Sequence, residues 1–148
     1  MLPLLLNTAA TGMLIGLGFT IQLVHYPLFA RVGREAWPAY AAAHGRRITL
    51  LVGPWMLLEA LTGAWLLWRP PPGLSSALLW WAGLLVAVIW LLTALVNGPA
   101  FQRLASAWSP AGHRALVLAN WPRTIAWTAR GVLLLVLLRQ AWSLPAGP

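Results

Sequence analysis

Residues 76–96 read SALLWWAGLLVAVIWLLTALV, a run without one charged side chain. A helix that crosses the hydrocarbon core of a bilayer needs about 20 predominantly apolar residues. The stretch has that length and contains only three hydroxyl-bearing or Gly positions of note, Ser76, Gly83 and Thr93. It therefore predicts a transmembrane helix.

The composition of the whole chain agrees with that prediction. Of its 148 residues, 60% are hydrophobic and 8% are charged, whereas about 25% of the residues in a soluble domain are charged. A water-soluble globule of this size is excluded, because it could not cover its surface with so few charges. A disordered chain is excluded by the same hydrophobicity. We therefore expect an integral membrane protein that has the lipid bilayer as a partner.

Charge and cysteine content exclude further classes of function. The formal net charge of +8 comes from ten arginines and two glutamates. The arginines stand singly among apolar residues and form no polar basic face, so nucleic acid is not expected as a partner. The chain has no cysteine, which excludes disulfides, thiolate-ligated metal centres and thiol nucleophiles.

Three more apolar runs bring the number of predicted helices to four. The predicted spans are residues 4–29, 48–68, 76–96 and 121–142. Between the second and third spans, the segment Arg-Pro-Pro-Pro-Gly at 69–73 cannot continue a helix and predicts a tight turn outside the membrane. The predicted fold is all-α: one transmembrane domain over residues 1–148, folded as a polytopic four-helix bundle.

The arginines also predict the orientation of the bundle. The connections between spans 1 and 2 and between spans 3 and 4 lie on one side of the membrane and contain seven arginines. The other side has only Arg69 and Arg139. The positive-inside rule then places both connections in the cytoplasm of a bacterium and both termini outside its inner membrane. Trp37 and Trp108 lie beside these connections, where interfacial aromatic residues are expected. The seven arginines are Arg31, Arg34, Arg46, Arg47, Arg103, Arg114 and Arg123.

The two cytoplasmic connections share a sequence pattern. His25-Tyr-Pro-Leu-Phe-Ala-Arg31 and Asn97-Gly-Pro-Ala-Phe-Gln-Arg103 both match [His/Asn]-x-Pro-x-Phe-x-Arg. A second match, in the same order along the chain, relates His44-Gly-Arg-Arg47 to Asn120-Trp-Pro-Arg123. The prolines at 27 and 99 are expected to end or kink the first and third helices, because proline lacks the N–H and has a fixed φ.

These matches predict an internal duplication. The repeat units are about residues 1–70 and 74–148. Two spans per unit restore the orientation, so the repeats are expected to be parallel and related by an axis along the membrane normal. Each unit is expected to carry a short amphipathic helix on the cytoplasmic surface of the membrane.

Two charged residues lie near the middle of predicted spans, Glu59 in the second and Arg130 in the fourth. Either charge alone near the bilayer centre would cost about 2.5–3.5 kcal/mol. Both spans start on the same side, so the two residues lie at similar depths, and we expect them to form a pair. The pair could serve folding alone or could line a buried pocket.

Other polar residues fall at helical spacings that place them on shared faces. Gln22 and His25 share a face of the first span, and Asn120, Arg123, Trp127 and Arg130 form one stripe on the fourth. We expect these groups to converge on a polar cavity at the cytoplasmic end of the bundle. The candidate ligand-binding residues are Gln22, His25, His44, Arg47, Glu59, Asn97, Asn120, Arg123, Trp127 and Arg130.

The three histidines, His25, His44 and His113, are candidate haem ligands, because a helical bundle can hold a haem between two imidazoles. Their spacing matches no metal-binding motif. Asn replaces His25 and His44 in the second repeat, and Asn can reproduce the hydrogen bonds of a neutral imidazole. Hydrogen-bonded helix ends are therefore the alternative interpretation for these two residues.

The segments at His25–Arg31, His44–Arg47 and Asn120–Arg123, with Trp127 beyond them, resemble those of small uncharacterised four-helix bacterial membrane proteins. More distantly, the chain resembles the anthrone-oxygenase-like family, whose members carry Asn-x-x-Arg near the start of the last helix. Asn120 and Arg123 match that motif. The resemblance implies oxygenation of polycyclic aromatic compounds that is cofactor-independent or of unknown mechanism.

From the sequence we expect a protein that binds a small hydrophobic or amphipathic molecule in a polar-lined cavity within the bundle. One alternative is a membrane enzyme of oxygenase or haem type that uses His25 and His44. Another is a structural or assembly subunit in which Glu59 and Arg130 serve folding alone. A transport function would require a homo-oligomer, because four helices are too few to enclose a pathway for a solute across the membrane.

Overall fold

The computed structural model describes residues 1–143, and the regular secondary structure of this part of the chain is entirely helical. Four long helices follow one another: α1 Leu2–Arg31, α2 Trp37–Trp68, α3 Ser76–Ser106 and α4 Pro110–Ser143. Each is long and apolar enough to cross a membrane. The prediction of an all-α chain with four spans is confirmed. The second predicted repeat, 74–148, ends in residues 144–148, which lie outside the described part.

The helices form a ring in which α1 packs against α2 and α4, and α3 packs against α4 and α2. Apolar side chains cover the outside as well as the core: Leu50, Leu61 and Leu95 are 76%, 69% and 70% exposed. An apolar outer surface of this extent would associate in water, whereas lipid tails accept it without penalty.

Three of the helices extend about ten residues beyond the predicted spans, and α1 extends by two residues at each end. The helix α2 begins at Trp37 and α4 at Pro110, while α3 continues to Ser106. The segments predicted as separate interfacial helices are parts of these long helices. The reason is the position of the prolines: Pro38 and Pro110 lie in the first turn of a helix, where a missing N–H breaks no hydrogen bond.

At Pro27 and Pro99, where the sequence predicts a helix end or a kink, the helices continue. A five-residue π-helical segment lies just before each proline, Ile21–His25 in α1 and Thr93–Asn97 in α3. In both, the N–H of the residue before the proline bonds the carbonyl five positions earlier. This wider turn accommodates the proline ring, which would clash with a carbonyl in a regular α-helix.

The two short connections, residues 32–36 and 107–109, pack together at one end of the bundle, which we call the connection end. Trp37 is 1% exposed, and its indole N–H donates to the carbonyl of Leu104 over 2.8 Å. The ring of Trp108 lies 4.6 Å from that of Trp37. Trp37 is therefore a core residue whose indole N–H is bonded by tertiary contact.

At the opposite end, α2 stops at Trp68 and the predicted tight turn leads to α3. Gly73 adopts a φ of 81°, a left-handed conformation that favours glycine. The Ser75 hydroxyl caps α3 by accepting a hydrogen bond from the backbone N–H of Leu78. The carbonyl of the Gln140 side chain accepts from the backbone N–H of Ser75, which ties the turn to α4.

Replacing Trp37 by phenylalanine removes the indole donor and retains most of the ring. We expect Trp37→Phe to lower the free energy of unfolding by about 1 kcal/mol, the net value of one buried hydrogen bond. Thermal unfolding of the detergent-solubilised protein, followed by circular dichroism, measures the change. Trp68→Phe is the matched control, because Trp68 is 67% exposed. Equal stability of the two variants would contradict the role assigned to Trp37.

Candidate functional site

A salt bridge lies in the middle of the bundle. Arg130 Nη1 is 3.1 Å from Glu59 Oε1, and the two side chains are 1% and 0% exposed. The predicted pairing of these residues is confirmed. The bridge joins α4 to α2 across the bundle interior.

Two residues of α1 complete the surroundings of the pair. Arg130 Nη2 donates to Asn7 Oδ1 over 2.7 Å, and Nη1 donates to the Thr11 hydroxyl. Thr11 in turn donates to Glu59 Oε1 over 2.7 Å. Asn7 and Thr11 are absent from the predicted site. Their i, i+4 spacing places them on one face of α1, but spacing alone does not reveal the partner.

Two further hydrogen bonds to the Glu59–Arg130 pair come from α3 and from the indole of Trp127 on α4. Arg130 Nε donates to the carbonyl of Ala82 over 3.1 Å, and Trp127 Nε1 donates to Glu59 Oε2 over 3.2 Å. All four helices therefore contribute to one network. Each guanidinium nitrogen and each carboxylate oxygen of the pair has a partner, which is the condition under which a buried ion pair is tolerated.

A second polar group lies nearer the connection end, between α1 and α4. Asn120 Nδ2 donates to Gln22 Oε1 over 2.9 Å, and Gln22 Nε2 donates to the carbonyl of Val117 over 3.2 Å. Arg123 Nη2 donates to Asn120 Oδ1 over 2.6 Å. Arg123 is only 7% exposed, so these contacts hold a second buried cation.

Arg123 differs from Arg130 in having no acidic partner among residues 1–143. Within residues 1–143, the salt bridge of Glu59 goes to Arg130. Arg123 Nη1 reaches the Thr93 hydroxyl at 3.4 Å, and its guanidinium carbon lies 5.2 Å from the centre of the Trp127 ring. Among the described residues, two buried side-chain polar atoms lack a hydrogen-bond partner, Arg123 Nε and Asn97 Oδ1.

Both of these residues line a cavity of about 230 Å³ in the half of the bundle near the connection end. Apolar side chains form most of its wall, with Leu14 and Ile21 on α1 and Val52 and Met56 on α2. Its polar wall residues are Tyr26, His44, Thr49, Thr93, Asn97, Arg123 and Trp127.

The cavity opens between α2 and α3. Its wall residues on α4, Arg123 and Trp127, are buried. By contrast, Val52 of α2 and Phe101 of α3 are partly exposed, and Thr49 of α2 is exposed. The wall on the α4 side is thus closed, while the mouth faces the outer surface of the bundle.

His25 and His44 bond each other at the edge of this cavity. Their Nε2 and Nδ1 atoms are 2.9 Å apart, and the ring of Phe29 packs against both imidazoles. Two imidazoles on opposite sides of one metal ion would need about 4 Å between their nitrogens, at about 2 Å per metal–nitrogen bond. The contact is that of a hydrogen-bonded pair in which at least one ring is neutral.

His113 and Arg47 lie elsewhere. His113 Nε2 is 2.8 Å from the carbonyl of Tyr26, and its ring stacks on Trp108. Arg47 is exposed beside a shallow surface pocket that also contacts His25. Groups of three or more potential metal-ligating side chains are not found in residues 1–143.

Of the ten candidate ligand-binding residues, four line this cavity: His44, Asn97, Arg123 and Trp127. Gln22 and Asn120 lie behind Arg123 as its hydrogen-bonded support, and Glu59 and Arg130 form the separate network. The stripe on α4 from Asn120 to Arg130 is real, but it spans about 15 Å at about 1.5 Å per residue. One helix face therefore reaches several different places in the bundle.

No family model, curated protein or solved structure matches this chain. The resemblance to the anthrone-oxygenase-like family stays a prediction.

Removing the cation of the central network tests its role. We expect Arg130→Met to lower the free energy of unfolding by about 3–5 kcal/mol, because it leaves Glu59 buried without a counter-charge. The double variant Glu59→Gln/Arg130→Met should recover most of this loss. Thermal unfolding in detergent measures both. Arg139→Met is the control, since Arg139 is exposed; Arg130→Met as stable as this control would contradict the assignment.

Proposed function

We propose that the protein binds a small hydrophobic or amphipathic molecule in the cavity between α2 and α3. The observation that carries the proposal is that Arg123 and Asn97, the two described residues with an unpartnered buried side-chain atom (Nε and Oδ1), both line that cavity. A buried polar group without a partner costs about 1–3 kcal/mol. A ligand with a polar group at this point would remove that cost.

The rest of the wall supports the same proposal. Ligand sites are concave and mostly apolar, with a small number of polar groups that set the orientation of the ligand. Here Leu14 and Met56 supply apolar contact, while Thr93 and Asn97 supply hydrogen-bonding groups beside Arg123. An amphipathic molecule satisfies both parts of such a wall.

The salt bridge between Glu59 and Arg130 supports the site without being part of its wall. Trp127 belongs to both: it lines the cavity and donates to Glu59 Oε2. The indole ring is thereby held in one orientation, with Arg123 stacked 5.2 Å from its centre. In this proposal, Glu59 and Arg130 position the wall and do not contact the ligand.

We further propose that the protein lies in the inner membrane of a bacterium with both termini outside. The seven arginines of the connections and adjoining turns support this orientation. The connection end, and with it the cavity, would then lie in the cytoplasmic half of the bilayer.

The proposed internal duplication gains support from the backbone. The π-helical segments Ile21–His25 and Thr93–Asn97 have the same length, and each ends on the first residue of one of the two matching sequence patterns. In two parallel repeats, the α1–α4 and α2–α3 contacts would be equivalent. Thr124 and Trp127 of α4 approach Gly18 at the first of them, whereas the second contains the cavity. The cavity would then distinguish the α2–α3 interface from the related α1–α4 interface.

Filling the cavity tests the proposed function. Gly53 lines the cavity, and a Cβ placed on it meets no other atom within 4 Å. We expect Gly53→Leu to place its side chain in the ligand volume and to abolish the co-purification of a bound small molecule. Organic extraction of the purified protein, followed by mass spectrometry, identifies molecules that wild type carries and the variant lacks.

Gly16→Leu is the matched control for this experiment. Gly16 is exposed on α1, and a Cβ there also meets nothing within 4 Å. The control should retain the same bound molecules as wild type. If the Gly53→Leu and Gly16→Leu proteins carry identical extracts, the cavity is not the binding site.

Single cysteines test the orientation, since the natural chain contains none. We expect a membrane-impermeant maleimide to label Ser75→Cys in intact cells, because the α2–α3 turn would face outward. Ser106→Cys, beside the connection end, should react only after permeabilisation. Labelling of position 106 in intact cells would reverse the proposed orientation.

A further inference from the structure

We infer that the occupant of the cavity is a single-chain amphiphile with an anionic head group of the carboxylate type, bound by Arg123. This inference rests on the proposed function and names the chemical class of its ligand. The head would lie on the inner wall, and the chain would leave through the mouth between α2 and α3.

The charge of Arg123 is the first argument. The side chain is 7% exposed, and guanidinium groups stay protonated in proteins. The described chain offers it no carboxylate, because Glu59 is fully buried and bonded to Arg130 and Glu35 is exposed. A buried cation is unfavourable unless an opposite charge lies beside it. An anion in the cavity is the missing partner.

The contacts that Arg123 does make are too weak to replace that partner. Asn120 Oδ1 is a good neutral acceptor at 2.6 Å, but the Thr93 hydroxyl is distant at 3.4 Å. The Trp127 ring offers a cation–π contact at 5.2 Å, within the usual limit of about 6 Å. Tyr26 lines the same cavity as Arg123, and a phenol is neutral at physiological pH. None of these groups carries a negative charge, whereas a carboxylate oxygen beside the Arg123 guanidinium would form a charge-assisted hydrogen bond.

Asn120 holds the guanidinium of Arg123 in place at the wall of the cavity. Asn120 is itself held by Gln22 and Thr124, at 2.9 and 3.2 Å. Arg123 is thus fixed from the α1 side, and its side chain also lines the cavity. Asn97 Oδ1 is an acceptor, so a hydroxyl next to the carboxylate, or a water that hydrates it, would donate to this atom.

The shape of the site argues for one chain. The cavity of about 230 Å³ is smaller than typical drug-sized pockets, which measure roughly 300–1,000 Å³. It therefore holds a head group and the first part of a chain. The partly exposed wall residues Ile48, Val52 and Phe101 border the mouth, so the remaining chain would lie among the lipid tails.

Photolabelling in nanodiscs of phosphatidylcholine tests the inference. The probes are palmitate with a terminal diazirine and hexadecanol with the same group, which differ only in the head. Intact-mass spectrometry gives the labelled fraction at each probe concentration, and peptide mapping gives the labelled residues. For wild type, we expect half-maximal labelling by the carboxylate at a concentration about tenfold lower than by the alcohol. The labels should lie on α2 and α3 near the mouth.

Arg123 variants identify the group that distinguishes the probes. Arg123→Met should raise the half-maximal concentration of the carboxylate about tenfold and leave that of the alcohol unchanged. Arg123→Lys retains the charge and should keep most of the preference. Arg103→Met is the matched control, because it removes the same charge from an exposed position near the connection end. It should change neither value.

The outcomes separate this inference from the proposed function. If both probes label the mouth saturably and equally in wild type, the anionic ligand is wrong and the cavity remains a site for amphiphiles. If neither probe labels it saturably, the proposed function fails as well. Should Arg123→Met not fold, the comparison of the two probes on wild type and Arg123→Lys decides. Loss of the preference in Arg103→Met would assign it to surface charge and overturn the role of Arg123.

Discussion

Helices in a bilayer gain no hydrophobic energy by packing together, because lipid tails are as apolar as leucine. In this bundle, the salt bridge between Glu59 and Arg130 supplies a specific reason for four helices to meet. Asn7 and Thr11 bind the pair from α1, and the carbonyl of Ala82 binds it from α3. A charge left alone there would be costly, so each helix is held in the one register that completes the network.

The same constraint explains how a polar cavity can persist beside the network. Trp127 is oriented by its bond to Glu59, and its ring receives the guanidinium of Arg123. Gln22 and Asn120 hold Arg123 from the α1 side, so the α1–α4 interface is closed by hydrogen bonds. The α2–α3 interface contains the cavity. Trp127 therefore belongs both to the fully hydrogen-bonded network and to the wall of the cavity, where two of the described residues have a polar atom without a partner.

Much of the fold and part of the site could be predicted from local patterns. Four apolar runs predicted four helices, and the proline-rich segment at 69–73 predicted the turn that the structure contains. The pairing of Glu59 and Arg130 followed from their similar depth. Helix ends were less predictable, because Pro38 and Pro110 start long helices where separate interfacial segments were expected. Asn7 was missed because a neutral amide on an apolar helix becomes important only when its partner on another helix is known.

The sequence by itself determined that the chain is a bundle of four apolar helices and that two of them carry charges needing each other. Length, hydropathy and the expense of a lone charge in lipid suffice for those conclusions. Only the tertiary structure decided that Arg123 differs from Arg130, although both lie on one stripe of α4. Periodicity assigns a residue to a helix face, but whether that face meets a carboxylate or a cavity depends on the neighbouring helices. Among the described residues, Arg130 pairs with Glu59, whereas Arg123 has no acidic partner and lines the cavity.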